Sequence, residues 1–407
     1  TDRQEKEWGT MPLPCLSFPD CTVLSLEGTL TVTELPEVTA ELSTCIKENP
    51  RRHMVLDLSR TEHVDSSTIN LFVNIRKRLG ETGLRLFFLS PSESMRHMLR
   101  ETHLDKAIAI AEDIVELETL LARDRRDRYT PCCNEENGLL RLSLNCAVCG
   151  SSNVVGYLVD PRDFEWTWPE GSPFPTAMDP SNERECDVFS LMPILCLDCY
   201  MCSTDIELFE VTNGTRTVHR SFLDPNSKLL LSKSIKKRKK AVEVEARMGG
   251  SSFLPPRDAP TSYQLFSLAS GCARTIAVNR DTMGFFVVGF LNYQAIKYAQ
   301  VEQVAPLVDN CRSWLTQAIK EPTPISHLQK AQAYLILMVS AINVRKFKEA
   351  TQMHTDFARL IESLPPIQQP PSGYHSPMFW FEQCTKIWEK EIKNQSSVLN
   401  CRDGNRA

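Results

Sequence analysis

Two C-x2-C pairs, Cys146/Cys149 in "CAVCG" and Cys196/Cys199 in "CLDCYMC", constrain the middle of this chain more than any other feature. Each pair puts two thiols on one tight turn, where both sulfurs can face a single ion. Two such turns complete a tetrahedral four-cysteine site of the kind that holds structural Zn2+. Gly150, directly after the first pair, suits the left-handed turn that such loops use. The 46 residues between Cys149 and Cys196 must then leave the site and return to it. They include the aromatic, Pro-rich run "FEWTWPEGSPFPTAMDP". The expected ligands are Cys146, Cys149, Cys196 and Cys199. Cys202 in place of Cys199, and Cys186 or the Cys132–Cys133 pair, stand as alternates. No histidine lies within the cluster, and His219, the nearest, is not at a ligand spacing. A closed structural site is expected, since a catalytic zinc keeps an open position and usually a His or carboxylate ligand. A redox use of C-x2-C would need a thioredoxin-like βαβ setting, which the flanking sequence lacks. An odd total of 15 cysteines over 407 residues does not read as a secreted disulfide framework.

That length fits two or three domains. With 24% charged residues and a net charge of −5, the chain is not one that binds nucleic acid along its whole length. No apolar run reaches the ~18–20 residues of a membrane helix; "MGFFVVGFLNYQAI" and "YLILMVSAINV" are shorter and carry polar residues. The polar start "TDRQEKEW" has no signal-peptide core, so a cytoplasmic location is expected.

Strand and helix signals alternate over 16–124, after an N-terminal tail at 1–15. "CTVLSLEGTL", "HMVLDLS", "LRLFFLSP" and "AIAIA" read as strands. "ELPEVTAELSTCIKEN", "INLFVNIRKRLGETG", "SESMRHMLRETHL" and "EDIVELETLLARD" read as helices. The alternation predicts an α/β domain with a mixed or mainly parallel sheet covered by helices. "RDRRDRYTP" (123–131) reads as a charged linker. Residues 125–260 form a Cys-rich α+β module with short strands such as "LLRLSLN" and "DIELFEVTN", closing in a basic helix and a linker. Over 261–393 five segments and a last helix, "SPMFWFEQCTKIWEKEIK", repeat apolar residues at period 3.6, predicting an all-α array of helical hairpins. A loose polar tail occupies 394–407.

At "EHVDSSTINLF" (62–72), Asp65, Ser66 and Ser67 are strong cap types, and Ile69, Phe72, Val73 and Leu79 follow at helical spacing. Local pattern reads as a helix N-terminus. Its neighbours extend that reading. "LSLEGTL", "MVLDLSRTEHVDSS", "RKRLGETGLRLFFLSPSESMRHMLRETHLD" and "EDIVELETLL", in that order, resemble a STAS domain over 16–124, about a quarter of the chain. This is the fold of bacterial anti-sigma factor antagonists and of transporter C-terminal regulatory domains. The resemblance implies a protein-binding corner at Asp65, Ser66, Ser67 and Thr68. It also implies that a partner kinase phosphorylates the serine at the start of the second helix, here Ser67. The positive end of a helix tolerates a phosphate, whose added charge of about −1.5 to −2 beside Asp65 would repel an acidic or apolar partner. This sequence departs from the family in having Thr68 and Ile69 where glycine and leucine often follow, which adds bulk where a kinase must approach.

The Cys-rich module is zinc-ribbon-like, and "CxxCG…CxxC" followed by helices is similar to an uncharacterised bacterial family that supplies a layout without an activity. "KKRKK" (236–240) reads as a solvated helix face, or as a phosphate-backbone contact beside a zinc ribbon. "AYLILMVSAINVRKFKEATQMHTDF" faintly resembles a tetratricopeptide unit through Tyr334, Leu337, Ala341 and Ala350, with Met338 and His354 off its pattern. No nucleotide-binding, zinc-protease or nucleophile-elbow motif is present. The expected function is that of a non-enzymatic bacterial adaptor or scaffold. Its protein partners would be an anti-sigma or switch kinase, or assembly components, with no small-molecule substrate. A zinc-ribbon nucleic-acid regulator using 236–240 is the alternative, and a metal- or thiol-dependent enzyme the third reading.

Overall fold

The computed structural model describes residues 15–17, 21–48, 52–136, 139–159, 164–167, 176–179, 184–246, 253–277, 283–320, 327–364 and 377–393. The chain divides into two compact units, Thr1–Arg123 and Asp124–Ala407.

In the first unit, β1 (Cys15–Ser17), β2 (Cys21–Leu30), β3 (His53–Val64), β4 (Leu86–Leu89) and β5 (Ala109–Ala111) form one sheet in sequential order. β1 pairs antiparallel with β2, and the other three pairings are parallel, with Leu24 opposite Leu56 and Leu56 opposite Phe88. Parallel neighbours need long crossovers. They are supplied by α1 (Leu35–Glu48), α2 (Ser66–Gly80) and α3 (Glu93–Glu101). Side chains alternate along a strand, so Leu24, Leu26, Leu56, Leu58 and Phe88 share one face. There they pack with Leu42 of α1, Phe72 and Leu79 of α2 and Leu99 of α3. Phe72 is wholly buried and stacks edge-on with Phe88 at 5.2 Å; truncating it to Ala costs about 3–5 kcal/mol. Val23, Val55 and Phe87 on the opposite face are buried too, which explains why these strands read as continuous apolar runs. Buried Asp57 keeps its carboxylate satisfied by Ser25 Oγ–H at 3.1 Å and Ser59 N–H at 3.0 Å.

Helix α4 (Ile114–Tyr129) contains the division between the units and is followed by a 3-10 turn at Thr130–Cys132. The charged stretch read as a linker at 123–131 is therefore mostly helix. No Gly or Pro interrupts it before Pro131, and Asp124 pairs with Arg128 four residues on, at 2.8 Å. On α2 the buried stripe is Thr68, Phe72, Ile75 and Leu79. Val73, expected to face inward, is 42% exposed, because a residue one step past Phe72 turns off the stripe.

The second unit begins with short strands: β6 (Cys133–Glu136), β7 (Leu139–Leu142), β8 (Leu144–Asn145), β9 (Val154–Val155) and β10 (Tyr157–Leu158). Next come β11 (Glu165–Thr167), β12 (Thr176–Asp179), β13 (Arg184–Cys186), helix α5 (Val188–Leu191), β14 (Ile194–Cys196), β15 (Cys202–Ser203), β16 (Glu210–Asn213) and β17 (Arg216–His219). Among the described residues these strands all pair antiparallel, in four three-stranded sheets. Of "DIELFEVTN", Ile206–Leu208 is a 3-10 turn capped by Asp205, and only Glu210–Asn213 is strand.

Helices complete the unit: α6 (Pro225–Lys233), α7 (Ile235–Ala246), α8 (Ala259–Ala277), α9 (Met283–Tyr298), α10 (Val301–Lys320), α11 (His327–Asn343), α12 (Phe347–Glu362) and α13 (Pro377–Trp388). From α8 to α12 each packs on the next, and α13 packs on both α11 and α12. Gly289 lets α9 meet Leu315 of α10; a Cβ there would fall 2.6 Å from that side chain. Leu265, Phe266 and Ala269 of α8 share a core with Leu195 and Cys202 of the strands. No described helix is long and apolar enough to cross a membrane.

Candidate functional site

Among the described residues, two places gather chemistry-bearing side chains. The first is the corner where β3 ends and α2 begins. Asp65 is the N-cap of α2, in extended conformation, and its Oδ1 accepts from Thr68 N–H at 2.8 Å and lies 3.1 Å from Thr68 Oγ1. Its Oδ2 accepts from Val32 N–H at 2.9 Å, so one carboxylate ties the helix start to the turn after β2. These bonds, Thr68 N–H first, hold the Asp65 carboxyl below the usual carboxylate range and keep it ionised at neutral pH. Ser66 is exposed and Ser67 half-buried. Thr68 is wholly buried, its hydroxyl donating to Leu30 O at 2.9 Å. Thr68 thus points into the fold and adds no bulk at the surface, contrary to the expectation from the sequence, because the third helical residue faces back over the sheet. Val32 is 66% exposed beside this cap, and Ser66, Asn70 and Val73 line the outer face of α2.

The second place is the cysteine cluster. The Sγ atoms of Cys146, Cys149, Cys196 and Cys199 all lie within 4.8 Å of one another. Cys146 and Cys199 are 3.5 Å apart and Cys149 and Cys196 3.6 Å. A disulfide needs about 2.05 Å, and all four are free thiols. A tetrahedral ion with metal–sulfur distances of about 2.3 Å separates its sulfurs by about 3.8 Å. The four donors therefore have the number, type and spacing to hold one metal ion. Cys146, Cys196 and Cys199 are buried and Cys149 is exposed.

The two turns are built alike. In the first, Gly150 N–H donates to Cys146 O and Cys146 N–H to Ser151 O, both at 2.8 Å; in the second, Tyr200 N–H donates to Cys196 O and Cys196 N–H to Met201 O, both at 2.9 Å. The residue after each second cysteine is left-handed, Gly150 at φ 76° and Tyr200 at φ 55°. β9 and β14 pair antiparallel with Cys196 opposite Val154, which sets the turns side by side. Asp198 latches them, accepting from Ser151 Oγ–H and, at 3.2 Å, from Asn153 Nδ2–H. Those two bonds, Ser151 first, keep its carboxyl below the usual range. Within the cluster, hydrogen bonds from Cys146 and then Cys196 pull the Cys199 thiol down, while Cys146 is pushed up by its bonds to Cys196 and Cys199. Shared protons of this kind are what a divalent cation displaces when it binds thiols.

Of the alternates, Cys202 Sγ–H donates to Leu265 O and Cys133 Sγ–H to Tyr129 O, both at 3.3 Å; Cys132 is buried in the strand core. Cys186 ends β13, and its side chain lies outside the described residues. His219 meets the Tyr129 ring edge-on at 5.5 Å.

The basic run departs from a uniformly solvated face at one residue. Lys236, Lys237, Lys239 and Lys240 are exposed, but Arg238 is 7% exposed. Its Nε–H donates to Cys199 O at 3.0 Å, and its Nη1–H to Leu231 O at 2.9 Å and Ser234 Oγ at 2.6 Å. Period 3.6 through Leu231, Ile235, Arg238 and Val242 carries the signal for this, hidden under five consecutive basic residues. Tyr200 carries no such signal, since glycine is the residue that a left-handed knuckle leads one to expect.

Among solved structures, that of an anti-sigma factor antagonist candidate from Thermotoga maritima is 23% identical, covering 27% of this chain and 93% of its own, with a TM-score of 0.26. The family model of the STAS domain matches residues 17–117. Residues 17–117 of this chain are accordingly a STAS domain, followed along the sequence by a four-cysteine cluster and a helical C-terminal region.

Proposed function

We propose that this chain is a non-catalytic interaction protein whose STAS domain receives a regulatory or assembly partner at the β3–α2 corner. The observation that carries the reading is that corner itself. Asp65 fixes the backbone from beneath, Thr68 is turned inward, and Ser66, Ser67, Asn70, Val73 and Val32 remain as a mixed apolar and hydroxyl surface. Exposed apolar side chains among polar neighbours are what a transient protein interface uses. Phosphorylation of Ser67 would switch it. The Asp65 carboxylate already occupies donors at the helix start, so a phosphate on Ser67 meets like charge at the partner surface and the fold stays intact.

The second unit is braced by zinc on Cys146, Cys149, Cys196 and Cys199. Four thiols without a carboxylate or imidazole favour a closed zinc site. The metal there supplies folding free energy, and Asp198 and the paired turns hold the ligands in place.

A photocrosslinking residue at Asn70, compared with one at exposed His97 on α3, tests the corner in the native host. The expected result is one protein crosslinked from Asn70 and not from His97, at a yield that Ser67→Asp lowers about tenfold, equivalent to ~1.4 kcal/mol. Equal capture from both positions refutes the corner. Yield unchanged by Ser67→Asp refutes the switch.

A further inference from the structure

Arg238 is buried without a carboxylate: among the described residues it forms no ion pair, and its Nη2 is buried with no hydrogen-bond partner. Arg257 has the same pattern, 8% exposed with a partnerless Nη2 and bonds to the carbonyls of Phe253, Ser190 and Pro193, none of which belongs to the cysteine turns. A buried cation that faces only neutral acceptors is costly unless an opposite charge lies near. Besides Leu231 O and Ser234 Oγ, Arg238 bonds to the backbone carbonyl of Cys199 at 3.0 Å, its link to the cysteine cluster. Four thiolates around a divalent ion carry a net charge of about −2, also costly when three of the four cysteines are buried. Each unbalanced charge is what the other lacks.

We propose that Arg238 is the charge partner of the metal-loaded four-cysteine centre, so that metal binding and the seating of α7 are coupled. The inference rests on the zinc reading above. Arg238 is a positioning residue in this role and not a ligand. Its Nε–H holds the Cys199 turn, its Nη1–H holds the C-terminal end of α6, and its charge offsets the centre. The four lysines flanking it are exposed to solvent, where screening leaves them little influence on a buried charge. Without the metal the two cysteine turns lose the ion that joins them, so the Cys199 carbonyl that Arg238 holds is less firmly placed and α7 seats less firmly.

The test uses the full chain, with zinc affinity measured by competition against a chromophoric chelator. Wild type is compared with Arg238→Met, Arg238→Gln, Arg238→Lys and Lys237→Met, each checked for folding by far-UV circular dichroism. Removing a partner just outside a metal's ligands typically lowers affinity about 10–100-fold. That loss is expected for Arg238→Met and Arg238→Gln, with Arg238→Lys recovering most of it and Lys237→Met within about twofold of wild type. Arg238→Met binding as tightly as wild type overturns the proposal, as does an equal loss in Lys237→Met. If Arg238→Met fails to fold, the Lys and Gln variants decide: equal affinities overturn a role for the charge. A second readout is trypsin cleavage at Lys236, Lys237, Lys239 and Lys240, expected to be slow in the zinc-loaded chain and fast after chelation. Cleavage indifferent to zinc overturns the coupling. Metal content of wild type separates the two levels. A chain without zinc overturns the zinc reading and this inference with it, whereas bound zinc with Arg238→Met unimpaired overturns the inference alone.

Discussion

Thr68→Val isolates the bond that joins the α2 corner to the sheet. The change keeps the shape of the side chain and removes a hydroxyl that is wholly buried and donates to Leu30 O at 2.9 Å. Leu30 O keeps a second donor, Asp65 N–H at 3.2 Å, so no carbonyl is orphaned. The cap bond from Thr68 N–H to Asp65 is a backbone bond and survives. The loss is therefore one buried hydrogen bond to the carbonyl, plus the weaker approach to Asp65 at 3.1 Å. Such a loss costs about 1–2 kcal/mol, a factor of about 5–30 in the population of the opened state. Hydrogen exchange of the full chain, followed by mass spectrometry, reads this directly. Amides of Val55, Leu56 and Phe88 in the sheet should exchange about 5–30 times faster, while those in α11 and α12 keep their rates. Ser66→Ala, on the exposed side of the same turn, should stay within ~0.5 kcal/mol of wild type. Unchanged exchange in Thr68→Val would refute the claim that this hydroxyl locks the corner to the sheet.

Gly150→Ala should lower the stability of the second unit by about 1–2 kcal/mol, read as a fall in its melting temperature. At φ 76° the cost is conformational, since a Cβ there meets nothing within 4 Å. The docking of α13 should depend on pH through His354. Its ring stacks on Trp388 at 4.7 Å and Phe381 at 5.4 Å, with Nε2 3.0 Å from Thr385 Oγ1. Burial lowers its affinity for a proton, against a smaller upward pull from Glu389. The unfolded chain thus takes up the proton first, and the stability here is complete above the ordinary imidazole range and lost as pH falls through it. Trp388 fluorescence between about pH 7.5 and 5 should report the loosening, and His354→Phe should abolish it. Chelator treatment of the intact chain should expose the cysteine turns to alkylation while the N-terminal sheet keeps its exchange protection, whereas thiols left inert by the chelator would refute the proposed metal brace.

The alternation of apolar strands and amphipathic helices over 16–124 made the first unit legible, because strand and helix periods differ and each element fills most of its length. The spacing of Cys146, Cys149, Cys196 and Cys199 singled out the four donors that the fold brings together, because C-x2-C is a local constraint visible in any context. What stayed hidden depended on tertiary neighbours. Arg238 looks like any other residue of a basic run until α7 is laid against Cys199. Thr68 looks exposed until α2 is turned against β2. Tyr200 holds a left-handed turn that glycine normally signals, because the paired knuckle and a ring contact with Phe253 at 6.5 Å over-determine its backbone. The stretch at 123–131 reads as a linker from charge alone, although Asp124 and Arg128 within it stand at helical spacing.

The claim that the β3–α2 corner is the partner surface is met most directly by a hydrogen-exchange footprint of the full chain bound to the protein captured from Asn70. Slowed exchange at 31–34 and 65–74, reversed by Ser67→Asp and accompanied by unchanged rates at β4 and β5, is the predicted outcome. Protection confined to the cysteine turns or to α8–α13, with none at the corner, would contradict it.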